Sequence, residues 1–318
     1  PELGTTEEFG ALQALRKLAG MGWVQDIVPN HMAFHSSNMI LHDLLEKGMA
    51  SEYNDFFDIE WEHTHESLRG RLLVPFLGRF YSESLEKGEI TIVYSESGLS
   101  VKYYDNEFPL SLISYPVVFG EDDPESGSPD DPVMMKLHGT LHQLKILAQT
   151  QGNFGVYDRT SHVLKMLWDL YSTETLIRDH MDRRLFMFNC TNDGENADML
   201  DSLLEQQMYR LSFWKVAAEE INYRRFFNIN GLISLRTEDE HVFRHIHWLL
   251  ARLIRRGYIT GVRVDHVDGL YNPAQYLDRL RELAGDLYIV VEKIISRCEK
   301  VPDRWSVQGT TGYDFMNY

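Results

Sequence analysis

Cysteines, basic runs and long apolar stretches are all scarce in this chain. Among 318 residues the two cysteines are Cys190 and Cys298. They stand far apart without metal-ligand spacing, which argues against a disulfide framework or a thiolate metal centre and fits two unpaired thiols in a reducing compartment. No stretch approaches the ~18 consecutive uncharged apolar residues of a membrane-spanning helix, and no segment has the charged, apolar, small-residue order of a signal peptide. The chain therefore reads as cytoplasmic, with no membrane partner. Lys and Arg number 31 against 48 Asp and Glu, a formal net charge of −17. With the basic residues scattered, nothing offsets the repulsion of a phosphate backbone, so a nucleic-acid partner is excluded. What is present is an ordinary globular composition, 43% hydrophobic, enough at this length for one large or two medium domains with a sizeable core. No internal repeat occurs, and the one biased tract, Glu121 to Pro132 (EDDPESGSPDDP), predicts a mobile acidic loop.

Hydrophobic spacing outlines the elements. Thr5 and Glu8 form a capping box ahead of a helix whose apolar side would carry Phe9, Leu12, Leu15 and Leu18. Gly20 and Gly22 end it, and Trp23 to Val28 reads as a buried strand entering the Pro29-Asn30 turn. The same grammar returns late in the chain. Val242 to Arg256 is helical with Phe243, Ile246, Leu249, Leu250 and Leu253 inward, and Ile259 to Asp265 is a strand. Asn272 caps a helix from Pro273 to Ala284, and Tyr288 to Lys293 is a further strand. The last two strands and their helix have the size of one βαβ unit, which predicts parallel, adjacent strands. A barrel repeat takes about 20 to 30 residues, so roughly 200 residues between the first and second strands read as an insertion. Within it, Glu89 to Tyr94 and Leu99 to Tyr104 flank a hairpin turn, and three helices are expected over Met134 to Gln149, Thr160 to Arg184 and Asp198 to Ile221.

Three strand ends carry the candidate chemistry. Alternation in Gly261 to Leu270 (GVRVDHVDGL) puts Arg263 and Asp265 on one face at the end of a strand. Catalytic groups of a β/α barrel gather at that end, although a lone Arg and Asp there can equally be a structural pair. Glu292 ends the next apolar strand, where a carboxylate is costly unless used or paired. Neighbouring strands lie ~4.8 Å apart and the acids of a retaining glycosidase ~5 to 5.5 Å apart, so the two carboxylates suit a double displacement. Asp265 would stay ionised beside Arg263 and attack, while Glu292, less well paired, would keep a proton for the leaving oxygen. Lys293 points the other way, as a plain exposed lysine or a substrate ligand. Asp26, Asn30 and His31 close the earlier strand (DIVPNH) and would line the same mouth, or serve as a turn cap and surface residues. The pairs His63 with His65 and His245 with His247 read as surface or core histidines, because residues two apart on a helix do not share a face.

DIVPNH, GVRVDH and VVEK, in this order and spacing, resemble the third, fourth and fifth barrel-strand motifs of the alpha-amylase family of glycoside hydrolases and transglycosidases. Further segments resemble one subgroup of that family, the trehalose-forming intramolecular transglucosylases. They are VDGLYNP (Val267 to Pro273), LLEQQMYRLSFWKVAAEEINYRRFFNIN (Leu203 to Asn230) and VQGTTGYDFMN (Val307 to Asn317). Asn228 departs from the acid common in that subgroup after YRRFF. The resemblance covers nearly the whole chain. It implies an α/β fold: a partial TIM (β/α)8 barrel, third to fifth strands, with a large α+β insertion after the third strand. Residues 1–31 and 239–318 would be barrel, and 32–238 an inserted subdomain with a hairpin part about 70–120 and a helical part about 133–222.

Carried onto this chain, the resemblance makes Asp265 the nucleophile, Glu292 the general acid/base and Arg263 the residue orienting Asp265. His31 would bind the sugar in the reacting subsite and His266 would lie toward the reducing-end side. Asn30 matches the family's usual calcium ligand, with a helix or loop cap as its structural alternative, but the subgroup implies no metal and no cofactor. Tyr223, Arg224, Arg225 and Phe226 would contact or shield substrate, where clustered aromatics otherwise form core and the arginines otherwise pair with acids. The implied reaction converts the reducing-end α-1,4 linkage of a maltooligosaccharide or maltodextrin to an α,α-1,1 linkage, in functional partnership with a maltooligosyl trehalose trehalohydrolase. The family's third acid and the first two barrel strands have no counterpart here, so the chain reads as an internal fragment of very low activity alone. An amylase-like hydrolase and a catalytically incomplete glucan-binding fragment are the other readings.

Overall fold

The computed structural model describes residues 4–120, 131–150, 156–190, 194–297 and 299–313. Most of the expected acidic loop, Cys298 and the end of the VQGTTGYDFMN segment lie outside the described residues. The chain divides into two compact units, Pro1–Met32 with Ser234–Tyr318, and Ala33–Ile233.

The first unit is α/β. Its sheet has four parallel strands in the order Val24–Ile27, Gly261–Val264, Tyr288–Val291 and Gly309–Thr310. The register pairs Ile27 with Val264 and Val264 with Val291. The ladder runs one step further, since the amides of Asp265, Glu292 and Thr311 donate to the carbonyls of Ile27, Val264 and Val291 at 2.9, 2.8 and 2.9 Å. Val262, Val264, Ile289 and Val291 are fully buried on one face, against Tyr276, Leu277, Leu280 and Ala284 of the Pro273–Ala284 helix. Each such aliphatic side chain contributes roughly 1.5–3 kcal/mol of burial. The helix starts as expected, with the Asn272 side chain accepting from the Gln275 amide. The two-residue Gly309–Thr310 strand is too short for a hydrophobic period to reveal and was not expected.

Two expectations fail at the sheet's edge. The Val24–Ile27 strand is not buried, and Val24 is 53% exposed, because among the described residues the strand has a neighbour on one side only. The Thr6–Leu18 helix has its capping box, with the Thr5 amide donating to the Glu8 carboxylate and the Glu8 amide to the Thr5 hydroxyl. However, Leu12, Leu15 and Leu18 face outward while Gln13 and Arg16 are buried. Arg16 explains the orientation. Its guanidinium donates to the carbonyls of Met21 and Gly257 and to the Gln13 side chain, which turns the Phe9, Gln13 and Arg16 stripe inward. Phe9 alone of the expected apolar face packs on rings, those of Trp23 and Tyr258. The expected Val242 to Arg256 helix is two, Glu240–Ile246 and Trp248–Arg255, joined at buried His247.

In the second unit the hairpin is Ile90–Ser95 with Gly98–Tyr103, extended by an unexpected third strand, Asn106–Pro109. Leu72–Leu77 and Tyr209–Phe213 form a parallel pair. The helix expected to Ile221 therefore stops at Glu205, in Gly194–Glu205. Long-range pairing overrides local propensity here, because the buried backbone of Leu72–Leu77 needs partners and Tyr209 is fully buried with its hydroxyl on the Pro109 carbonyl. The Thr160 to Arg184 stretch is likewise split into Val156–Thr173 and Thr175–Asn189. Arg178 donates to the carbonyls of Tyr171 and Ser172, satisfying groups at the end of the first helix. The Met134 to Gln149 expectation corresponds to Pro132–Gln149. Among the described residues no helix is long and apolar enough to cross a membrane.

Candidate active site

The shared register of the Gly261–Val264 and Tyr288–Val291 strands sets Asp265 and Glu292 at one height on neighbouring strands. Each directly follows a buried valine, Val264 or Val291, so both carboxylates are on the face opposite the core.

Arg263 ties three carboxylates together. Its Nη1 donates to both Asp26 oxygens at 2.7 Å and to Asp265 Oδ1 at 3.3 Å, and its Nη2 is 3.5 Å from Glu292 Oε1. Nε donates to the Thr311 hydroxyl at 3.1 Å. The hydrogen bond with Asp26 is the main cause that raises the arginine's pKa.

The shifts of the two acids run opposite to those expected from Arg263 alone. Burial, then a hydrogen bond with Glu292 and the charge of Glu292, raise Asp265 to about 6, while Arg263 pulls the other way. Glu292 is lowered by its hydrogen bond with Asp265 and then by the His266 amide, which donates to Oε2 at 3.2 Å. Arg263 makes its shortest bonds with Asp26, at 2.7 Å, and a longer one with Asp265, at 3.3 Å, so it offsets only part of the rise at Asp265. The two acids interact and titrate as a pair.

His266 lies beside Glu292, and its ring meets that of His31 edge to face with centroids 6.4 Å apart. Burial and the neighbouring His266 lower the pKa of His31. Asn30 is buried and its side-chain amide contacts His31 Nδ1 at 3.3 Å, while its carbonyl accepts from the Leu235 amide. Donation by that amide leaves the ring proton on Nε2. Among the described residues no group of three or more His, Cys, Asp or Glu is arranged to hold a metal ion. His266 adopts left-handed backbone angles (φ 48°, ψ 47°), a conformation that costs a non-glycine residue about 1–3 kcal/mol. Its ring lies over Gly269, where a Cβ would meet Cδ2 at 2.2 Å.

Lys293 is not the exposed lysine that alternation allowed. It is 9% exposed, and Nζ donates to Asp268 at 3.0 and 3.2 Å and pairs with Glu299 at 2.8 Å. Tyr223, Arg224, Arg225 and Phe226 lie in the other unit. Tyr223 is buried against Phe34 and its hydroxyl donates to the Asn230 carbonyl. Arg224 pairs with Asp58 at 2.6 Å, Arg225 donates to the Asn230 side chain, and the Phe226 ring meets Phe227. Sequence reasoning missed the grip of Asp26 on Arg263, and missed Thr311 and Asp268 altogether. For Asp26 a signal existed, since the strand pairing places it directly beside Arg263; for Thr311 none did.

An acid pair carried at matched height by parallel strands, with an arginine beside it, defines the candidate site of an α/β protein. The comparisons are more particular. No protein-family profile matches. The chain is 30% identical, over 99% of its length, to a Mycobacterium tuberculosis protein provisionally named maltooligosyl trehalose synthase. It matches the solved maltooligosyltrehalose synthase of Arthrobacter ramosus at 30% identity and TM-score 0.63 over 98% of its length, and a glycosyltrehalose synthase at 30% and 0.64 over all of it. The resemblance read from the motifs thus extends to the whole chain, which is homologous to part of the maltooligosyl trehalose synthases. It spans 29% of the length of the curated relatives.

Proposed function

We propose that this chain carries the reacting acid pair of an intramolecular transglucosylase that rebuilds the reducing-end α-1,4 linkage of a maltooligosaccharide as an α,α-1,1 linkage. The observation that carries the reading is the register placing Asp265 and Glu292 side by side on parallel strands. In this mechanism the bound glucan lies between the two carboxyls, with Asp265 ionised and Glu292 protonated. Glu292 protonates the leaving oxygen while Asp265 attacks the anomeric carbon, forming a covalent glycosyl ester. The freed glucose turns over, Glu292 takes the proton of its anomeric hydroxyl, and that oxygen displaces Asp265, so configuration is retained. Arg263 orients the pair, and Asn30, His31 and His266 bind sugar hydroxyls. Tyr223, Arg224, Arg225 and Phe226 belong to the same proposal as a segment shielding the intermediate from water. So do the partial barrel interrupted by an inserted subdomain, the partnership with a trehalohydrolase, and a cytoplasmic setting, for which scarce cysteine speaks.

A hydrolase is the second reading, favoured by the exposure of the acid side chains, 25% for Asp265 and 35% for Glu292, which admits water. The test is to incubate the chain with maltopentaose and follow reducing ends and glucose together. For this chain, which spans 29% of its curated relatives, the expected turnover is very low, and loss of reducing ends without glucose is the outcome that supports the transglucosylase. New reducing ends would make the protein a hydrolase, and binding without either change would make it a glucan-binding piece.

A further inference from the structure

We propose that Lys293 and Asp268 form a clasp that positions Glu292, rather than Lys293 contacting substrate. The inference rests on the acid/base role proposed for Glu292. The clasp closes a ring. Glu292 is joined covalently to Lys293, whose Nζ grips both oxygens of Asp268 at 3.0 and 3.2 Å. Asp268 lies in the Val267–Gly269 turn, which follows His266, and the His266 amide returns to Glu292 Oε2 at 3.2 Å. The end of one strand and the turn after its neighbour are thereby locked to each other around the carboxylate.

Two features show why a lock is needed. His266 is held at a left-handed φ of 48°, a costly conformation for a non-glycine residue, and in it the amide donates to Glu292. The turn is also packed without slack, since His266 and Asn30 fill the space where any side chain at Gly269 would go. A lysine that is 9% exposed is stable because two carboxylates compensate its lost hydration, the second being Glu299 at 2.8 Å. Donors committed in this way are poorly placed to bind a sugar hydroxyl.

The test uses the free 318-residue chain and needs no turnover. Amide hydrogen exchange at His266 and the NMR titration of the Glu292 carboxyl are compared between the wild type and Asp268→Asn and Lys293→Met. Asp265 and His266, which face Glu292 with Arg263, are titrated alongside. Each substitution is expected to speed His266 exchange about tenfold and to raise the Glu292 midpoint, with the double variant adding nothing further. Glu299→Gln, which removes the other partner of Lys293, should leave His266 exchange unchanged, and Lys293→Arg should restore most of the protection. Unchanged His266 exchange in Asp268→Asn would overturn the proposal even if the melting temperature fell, because a merely structural pair moves stability and not this amide. Should Lys293→Met fail to fold, Asp268→Asn and Lys293→Arg decide alone. New reducing ends from the wild type in the maltopentaose assay would sink the transglucosylase reading and leave these measurements standing.

Discussion

Arg263 has one guanidinium for three carboxylates, and its division among them sets the state of the acid pair. Asp26 takes the shortest bonds, and Asp265, partly buried beside Glu292, is raised to about 6. Removing the charge of Asp26 frees the arginine for Asp265 and also removes a repelling anion. Asp26→Asn is therefore expected to lower the Asp265 midpoint from about 6, seen by carboxyl NMR, and to move the acidic limb of any activity profile to lower pH. Gly269 gives a second prediction. The contact at 2.2 Å is with a histidine ring rather than a flexible chain end, so Gly269→Ala must displace His266. The expected cost is about 1–3 kcal/mol, read as a lowered urea midpoint. At this scale the placing of Asp265 and Glu292 at neighbouring strand ends was legible in strand alternation, but the hold of Asp26 on Arg263 was not, because it joins residues 237 apart in the chain.

Among the elements, the clearest physical consequence lies at the join of the Glu240–Ile246 and Trp248–Arg255 helices. His247 is buried there with Nε2 2.7 Å from the Tyr276 hydroxyl and Nδ1 2.8 Å from the Phe243 carbonyl. Burial pushes its pKa down to about 4. An unfolded histidine titrates near 6.5, so below that pH the unfolded chain takes a proton that the folded chain refuses until about 4. Stability should fall as pH drops through this window and then level off. His247→Gln should flatten that slope while lowering stability at pH 7 through the altered bonds, both measured by urea unfolding at several pH values. The break at His247 was not legible, since the apolar spacing runs unbroken from Val242 to Leu253. The Asn272-capped helix and the hairpin were legible, because a cap and a tight turn are local chemistry.

Over the whole molecule, burial separates hydrophobic residues that look alike in sequence. Leu15 is 64% exposed, whereas Leu277 is fully buried against the sheet. Leu15→Ala is expected to change stability by less than about 0.5 kcal/mol, and Leu277→Ala to cost about 2–5 kcal/mol, a contrast that thermal or urea unfolding resolves. The division into two units arises from the same accounting of contacts, with residues 33–233 forming their own core between two strands that pair with each other.

By itself the sequence determined the α/β class, the capped helices, the long excursion between the first two strands, and the two carboxylates that close apolar strands. These rest on spacing, turn chemistry and the cost of an unpaired charge, all of which are local. Only the tertiary structure decided that Arg263 is held first by Asp26, that Lys293 is spent on Asp268 and Glu299, that Tyr209–Phe213 is a strand, and that the first helix turns Arg16 inward. Each of these depends on a partner distant in the chain, and a long-range hydrogen bond or ion pair outweighs the few tenths of a kcal/mol by which local propensity prefers one conformation to another.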